Sequence, residues 1–280
     1  MRMGITVVMA VVAGAGVGQT TRLALQATSG SANDLAVSGD VAGIPAGATR
    51  YAKYAELSAL PQVTVTVKGD DNFSEPVKVS GVSLDKLAAA VGAEAGKKQL
   101  VAAICSDGYE GHFTAEYRAA HHPVLALRVN EKGPAGWQHG PDGENLGPYL
   151  VAQAAFQPTG HVLAQAEVEQ DPYAVTELKF YDEDAVTAAL KPKKATPAAM
   201  EGYRIAMENC LRCHRAEGIG GTKSPFEWPQ LAMIAQGNPG AFGKYVKEPM
   251  RVNPEATMPG NPEFDAATIA AVTAYFQGQM

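Results

Sequence analysis

Residues 210–214 read Cys210-Leu211-Arg212-Cys213-His214. Cys-x-x-Cys-His is the attachment signature of a c-type haem. Each sulfur can add to one vinyl group on the same edge of a porphyrin, and the histidine that follows at once can swing beneath the ring to its iron. Two other chemistries use a Cys-x-x-Cys pair. A four-ligand zinc site needs further donors close by, and beyond His214 the chain has no cysteine or histidine. A redox dithiol belongs in a βαβ setting, whereas the residues around this pair read as short helices.

Upstream, Met200, Tyr203 and Met207 recur at helical spacing within 197–209, and Pro197 suits a first helical turn, where its missing N–H is not needed. Gly218, Gly220 and Gly221 interrupt regular structure after the motif. A last helix is expected from an Asp265 N-cap to Gln277, with Ile269, Val272 and Phe276 on its apolar face. Just before it comes Ala256-Thr257-Met258-Pro259-Gly260. A thioether sulfur suits haem iron opposite a histidine. Met258 lies 44 residues after His214, and Pro259 would hold its loop extended. Met233, in the apolar run Leu231 to Ile234, reads as core. Met250, which follows Pro249, is the rival ligand.

Over residues 196–280 this arrangement resembles the class I mono-haem cytochrome c family. The resemblance rests on Gly202, the Cys210–His214 motif, Gly220-Gly221, Met258-Pro259 and the pair Tyr275-Phe276. It implies that Gly202 lets the first and last helices cross closely against a C-terminal aromatic. It also implies one covalent haem c on Cys210 and Cys213, with His214 and Met258 as axial iron ligands. A proline carbonyl, Pro225 first and Pro229 next, is expected to accept the His214 Nδ1–H. Ala206 stands where many members carry an aromatic residue.

The 280 residues suffice for a leader and two modest domains. The net charge of −6 gives no reason to expect nucleic acid as a partner. Met1-Arg2-Met3 followed by the apolar stretch Gly4 to Gly18 reads as an export signal. An uncleaved membrane anchor is the alternative. Cleavage candidates are Ala13-Gly14-Ala15 and Leu25-Gln26-Ala27. Of three cysteines, two belong to the motif, and Cys105 reads as a small buried apolar residue.

Between about Asp34 and Asp182 the pattern is mixed α+β around one core. Gln62 to Val67 alternates as a strand, and Val77 to Val79 reads as a second short one. Gly81 leads into a helix carrying Leu84, Leu87 and Val91. Leu100 to Ile104, Val124 to Val129, Tyr149 to Phe156 and Val175 to Phe180 read as further strands. His121-His122-Pro123 reads as a surface loop rather than a metal site. The loop Gly133 to Gly147, with Trp137, His139 and Asp142, is a candidate partner surface.

Tyr54 to Val63, Val79 to Leu87, Ser106-Asp107-Gly108-Tyr109 and Gly147 to Val151 resemble the molybdopterin-binding domain of the sulfite oxidase family. That resemblance implies a mixed sheet. In the family a cysteine in an early loop binds molybdenum, and here 34–101 contains none. Molybdopterin is therefore not expected.

The expectation is a multidomain chain: a signal peptide or anchor at 1–30, a sulfite-oxidase-like α+β domain at 34–190, a linker at 191–197 and an all-α cytochrome c domain at 198–280. Its expected role is single-electron transfer outside the cytoplasm, in the periplasm or at a membrane through the anchor. The N-terminal domain would dock a dehydrogenase or terminal oxidase and catalyse nothing itself. The alternatives are a haem-fused molybdenum enzyme of the sulfite dehydrogenase kind and a gas-binding haem protein.

Overall fold

The computed structural model describes residues 22–93 and 97–279. The export signal or anchor expected at Gly4 to Gly18 lies outside them. Among the described residues no helix is long and apolar enough to cross a membrane.

The N-terminal part contains β1 (Leu35–Gly39), β2 (Thr49–Ala52), α1 (Tyr54–Ala59), β3 (Val63–Val67), β4 (Val77–Ser83), α2 (Leu84–Val91), β5 (Gln99–Cys105) and β6 (Glu110–Phe113). It continues through α3 (Ala115–His121), β7 (Val124–Val129), β8 (Val151–Ala152), β9 (His161–Val162), β10 (Gln165–Ala166), β11 (Val175–Asp182) and α4 (Glu183–Leu190). The C-terminal part is all helical: α5 (Pro197–Asn209), α6 (Trp228–Gly237), α7 (Pro239–Lys247), α8 (Pro249–Val252) and α9 (Ala266–Gln277). The helices begin where side chains cap free N–H groups. The Ser83, Thr114, Thr196 and Asp265 side chains accept from the third residue onward in α2, α3, α5 and α9.

Two sheets carry the α+β part. One is mixed, in the order β2-β1-β11-β5-β6, with β1 and β11 parallel. The other is antiparallel, β3-β4-β7-β8. One apolar cluster joins the two sheets, Leu35, Phe113 and Phe180 of the first with Val82, Leu125 and Val151 of the second, and another around Val79, Ala126 and Trp137 belongs to the second sheet alone. The single core expected from sequence is thus two. The short strand expected at Val77 to Val79 runs on through Gly81 to Ser83, directly into α2. Gly81 lies inside β4, where a Cβ would strike the Leu125 carbonyl of β7. The strand expected at Tyr149–Phe156 pairs as a ladder only at Val151–Ala152.

The helical part has its own cluster around Tyr203, Trp228, Tyr275 and Phe276, and Leu100 of β5 joins it. A Cβ on Gly202 of α5 would overlap the Ala271 carbonyl and sit 2.9 Å from the Tyr275 Cβ of α9. Only a glycine allows that crossing. Trp228 Nε1–H donates to the Tyr275 hydroxyl at 3.0 Å, which donates to the Leu190 carbonyl at 2.8 Å. These bonds tie the helical cluster to the end of α4. The exposed Lys191, Lys193 and Lys194 lie in the passage from α4 to α5.

Candidate functional site

Helix α5 runs directly into the Cys-x-x-Cys-His turn. Cys210 N–H donates to the Ala206 carbonyl at 2.8 Å, and His214 N–H to the Cys210 carbonyl at 2.9 Å. The turn therefore starts from a rigid helix end. Gly220, at φ +94°, reverses the chain so that Gly221 N–H reaches the Leu211 carbonyl at 2.9 Å. Both thiols are free. Burial pushes Cys210 up to about 12 and also raises Cys213.

His214 is buried, and its ring is fixed from behind. Its Nδ1–H donates to the Phe226 carbonyl at 2.6 Å. The acceptor is neither Pro225 nor Pro229. The carbonyl that faces the ring is the one that follows Pro225, immediately before Glu227 N-caps α6. Burial lowers the His214 pKa against the opposing effect of that hydrogen bond. The ring is thus neutral near pH 7, with the Nε2 lone pair left to coordinate.

Met258 is half-buried in the loop between α8 and α9. The end of that loop is fastened to α7: Asn261 N–H donates to the Lys247 carbonyl at 3.0 Å, and Lys247 Nζ to the Phe264 carbonyl at 2.7 Å. Met250 is 64% exposed and Met233 is 57% exposed. The core placement expected for Met233 fails because α6 buries Trp228, Ala232 and Ala235, a stripe that leaves Met233 on the other side.

The segment between His214 and Met258 also carries exposed Phe226, Ile234 and Val252. With Met233 and Met250, these are the large apolar side chains left exposed among the described residues. The donor types that Cys210, Cys213, His214 and Met258 offer, two thiols, a neutral imidazole and a thioether, suit iron porphyrin.

The sequence did not reveal what lies behind the motif. The turn Asp107–Glu110 packs on it edge to edge. Glu110 N–H donates to the Arg212 carbonyl at 2.9 Å, and Thr222 N–H to the Gly108 carbonyl at 2.7 Å. Lys223 pairs with Asp107 at 2.5 Å, and Arg212 reaches the Glu169 carbonyl at 2.9 Å. Glycines make the fit possible: a Cβ on Gly221 would press on the backbones of Arg212 and Gly108. Ser106 to Tyr109 stood out in the sequence, but nothing there named the surface it meets. Cys105 is buried beside a cavity of about 370 Å³ at this junction. Burial holds its thiol far above the ordinary range, so it stays protonated.

Two further expectations change. His121 closes α3 with its ring buried against Tyr117 and Phe156, and its Nε2 lies 3.1 Å from Glu167. It belongs to an aromatic cluster rather than a surface loop. Trp137 turns into the second sheet's cluster and donates to the Lys132 carbonyl at 2.9 Å, which takes it out of any partner surface.

Residues 199–279 match the cytochrome c family. Among curated proteins none matches the chain. One similar solved structure is that of the sulfane dehydrogenase SoxCD from Paracoccus pantotrophus. It is 18% identical with a TM-score of 0.35, and the match covers 56% of this chain and 40% of that one. A covalently bound haem c and electron transfer are what a cytochrome c domain implies.

Proposed function

We propose that this chain is an exported single-electron carrier, with Cys210 and Cys213 holding one haem c and His214 and Met258 as its axial ligands. When bound, the haem supplies a reversible ferric–ferrous couple. The protein's part is to hold and insulate it. The observation that carries the reading is the His214 ring, buried and locked by the 2.6 Å bond to the Phe226 carbonyl directly after the two free thiols. That bond fixes the tautomer, aims Nε2 and raises its basicity. Pro259, next to Met258, stiffens the loop that presents the thioether, and a neutral sulfur raises the reduction potential. Val272, fully buried, and Ile269 keep water from the interior.

The N-terminal domain acts as a cofactor-free platform for a redox partner, a dehydrogenase or a terminal oxidase. Its turn at Asp107–Glu110 braces the haem-attachment segment, so a partner docked on the sheets is held at a fixed distance from the haem. Export through the N-terminal leader fits haem attachment outside the cytoplasm. Metal analysis of protein purified from the exported fraction tests this reading. One iron and no molybdenum per chain is the expected result. Molybdenum near one per chain would make it a haem-fused molybdenum enzyme instead.

A further inference from the structure

We propose, resting on the electron-carrier reading above, that Glu110 is a positioning residue through which the N-terminal domain lowers the reduction potential of the haem. Glu110 opens β6, the edge strand of the mixed sheet, and the haem-attachment segment lies against that edge.

Glu110 grips the segment at two points. Its N–H donates to the Arg212 carbonyl, between the two cysteines, at 2.9 Å. Its carboxylate accepts the Gly220 N–H at 3.3 Å. Gly220 is where the chain turns back on the motif. A Cβ there would lie 2.8 Å from both the His214 carbonyl oxygen and the Leu211 side chain. Only Gly220 therefore separates the carboxylate from the backbone of the iron ligand. His112 fixes the carboxylate from within β6, donating its Nε2–H to the same oxygen at 3.0 Å. From β11 the Lys179 ammonium and the Tyr181 hydroxyl both donate to the Gly218 carbonyl, at 3.4 Å and 3.3 Å. The loop that follows His214 is thus held by side chains of the other domain.

Holding the loop needs only an acceptor, and a neutral amide oxygen would serve. The residue present is an acid with 5% exposure. Burying a carboxylate costs more than burying an amide, and the charge has its own effect. Reduction removes one positive charge from the iron. A buried anion close by favours the ferric form, and salt screens it little. Hydrogen bonds and burial around the ligands are what a protein uses to tune a haem. Glu110 supplies both and opposes the rise that a thioether ligand brings. The Asp107–Lys223 pair at the same junction is exposed, so water screens its two opposite charges.

Redox titration of the purified holoprotein, followed by haem absorption, tests the proposal. Glu110→Gln keeps an oxygen for the Gly220 N–H and removes the charge. The ferrous-to-ferric ratio at a fixed ambient potential is expected to rise about tenfold, which is about 59 mV for a one-electron couple. The shift should persist at high salt. Asp107→Asn is expected to change the ratio by no more than about twofold. Deuterium exchange at the Gly220 amide reads the clasp without reference to the haem. It should be slow in the unmodified protein and in Glu110→Gln, and fast in Glu110→Ala. An unchanged or lowered potential in Glu110→Gln, equal shifts in Glu110→Gln and Asp107→Asn, or fast Gly220 exchange in the unmodified protein would overturn the role of Glu110. Purified protein without covalent haem would instead overturn the electron-carrier reading itself.

Discussion

Gly202→Ala is the smallest change that tests how the helical domain is built. In an exposed helix the substitution would stabilise by about 1 kcal/mol, because glycine is the poorer helix former. Here the new methyl would overlap the Ala271 carbonyl and crowd the Tyr275 Cβ. A backbone carbonyl cannot rotate away, so α5 and α9 have to separate. Overpacking of this kind costs about 1–3 kcal/mol, and contact with backbone places it near the upper end. The net expectation is a loss of roughly 2 kcal/mol, or about 5–15 °C in Tm for a domain of this size. Separation would also stretch the Trp228–Tyr275–Leu190 bonds that join α6 and α4 to the same crossing. Thermal unfolding followed by near-ultraviolet circular dichroism reads the effect. A Tm equal to or above that of the unmodified protein would refute the close crossing.

Asp70→Asn tests a buried carboxyl. Asp70 is 2% exposed with Oδ2 unpartnered, and burial raises its pKa from 3.8 to about 7, with Asp171 and Glu169 adding to the rise. A carboxyl with the higher pKa in the folded state keeps a proton that the unfolded chain releases. Stability is therefore lost as pH climbs from about 4 to about 7 and stays lost above. The gap is worth at most roughly 4 kcal/mol. Urea titrations should find Asp70→Asn more stable at pH 8, by about 2–4 kcal/mol, and nearly neutral at pH 4. The reverse order would contradict the sign. Tyr275→Phe leaves the Trp228 N–H buried without its acceptor and should cost about 1–3 kcal/mol in the same assay. A neutral result would mean that the Trp228 N–H finds another partner.

The helical domain was legible because its signals are local. A cap and a fixed cysteine spacing act within a few residues, as Asp265 and the Cys210–His214 turn do, whereas Gly202, which meets Ala271 and Tyr275 of α9, was read through the family resemblance. What failed was non-local. Met233 sits in an apolar run, yet the choice of buried face on α6 depends on where α9 lies. The two sheets cannot be separated from sequence, because β1 pairs in parallel with β11 across more than half the domain. The His214 acceptor shifted by one residue, from Pro225 to Phe226, because loop geometry and not residue type decides which carbonyl faces the ring. The docking of Asp107–Glu110 on the haem-attachment turn uses mostly backbone groups, which leave no mark on side-chain identity.

The central claim is that His214 and Met258 close the iron on both sides. Absorption spectroscopy of the oxidised, purified protein tests it most directly. The sulfur–iron band should be present in the unmodified protein and in Met250→Ala, and absent in Met258→Ala while the covalent haem is retained. Persistence of the band in Met258→Ala, or its loss in Met250→Ala, would contradict the account.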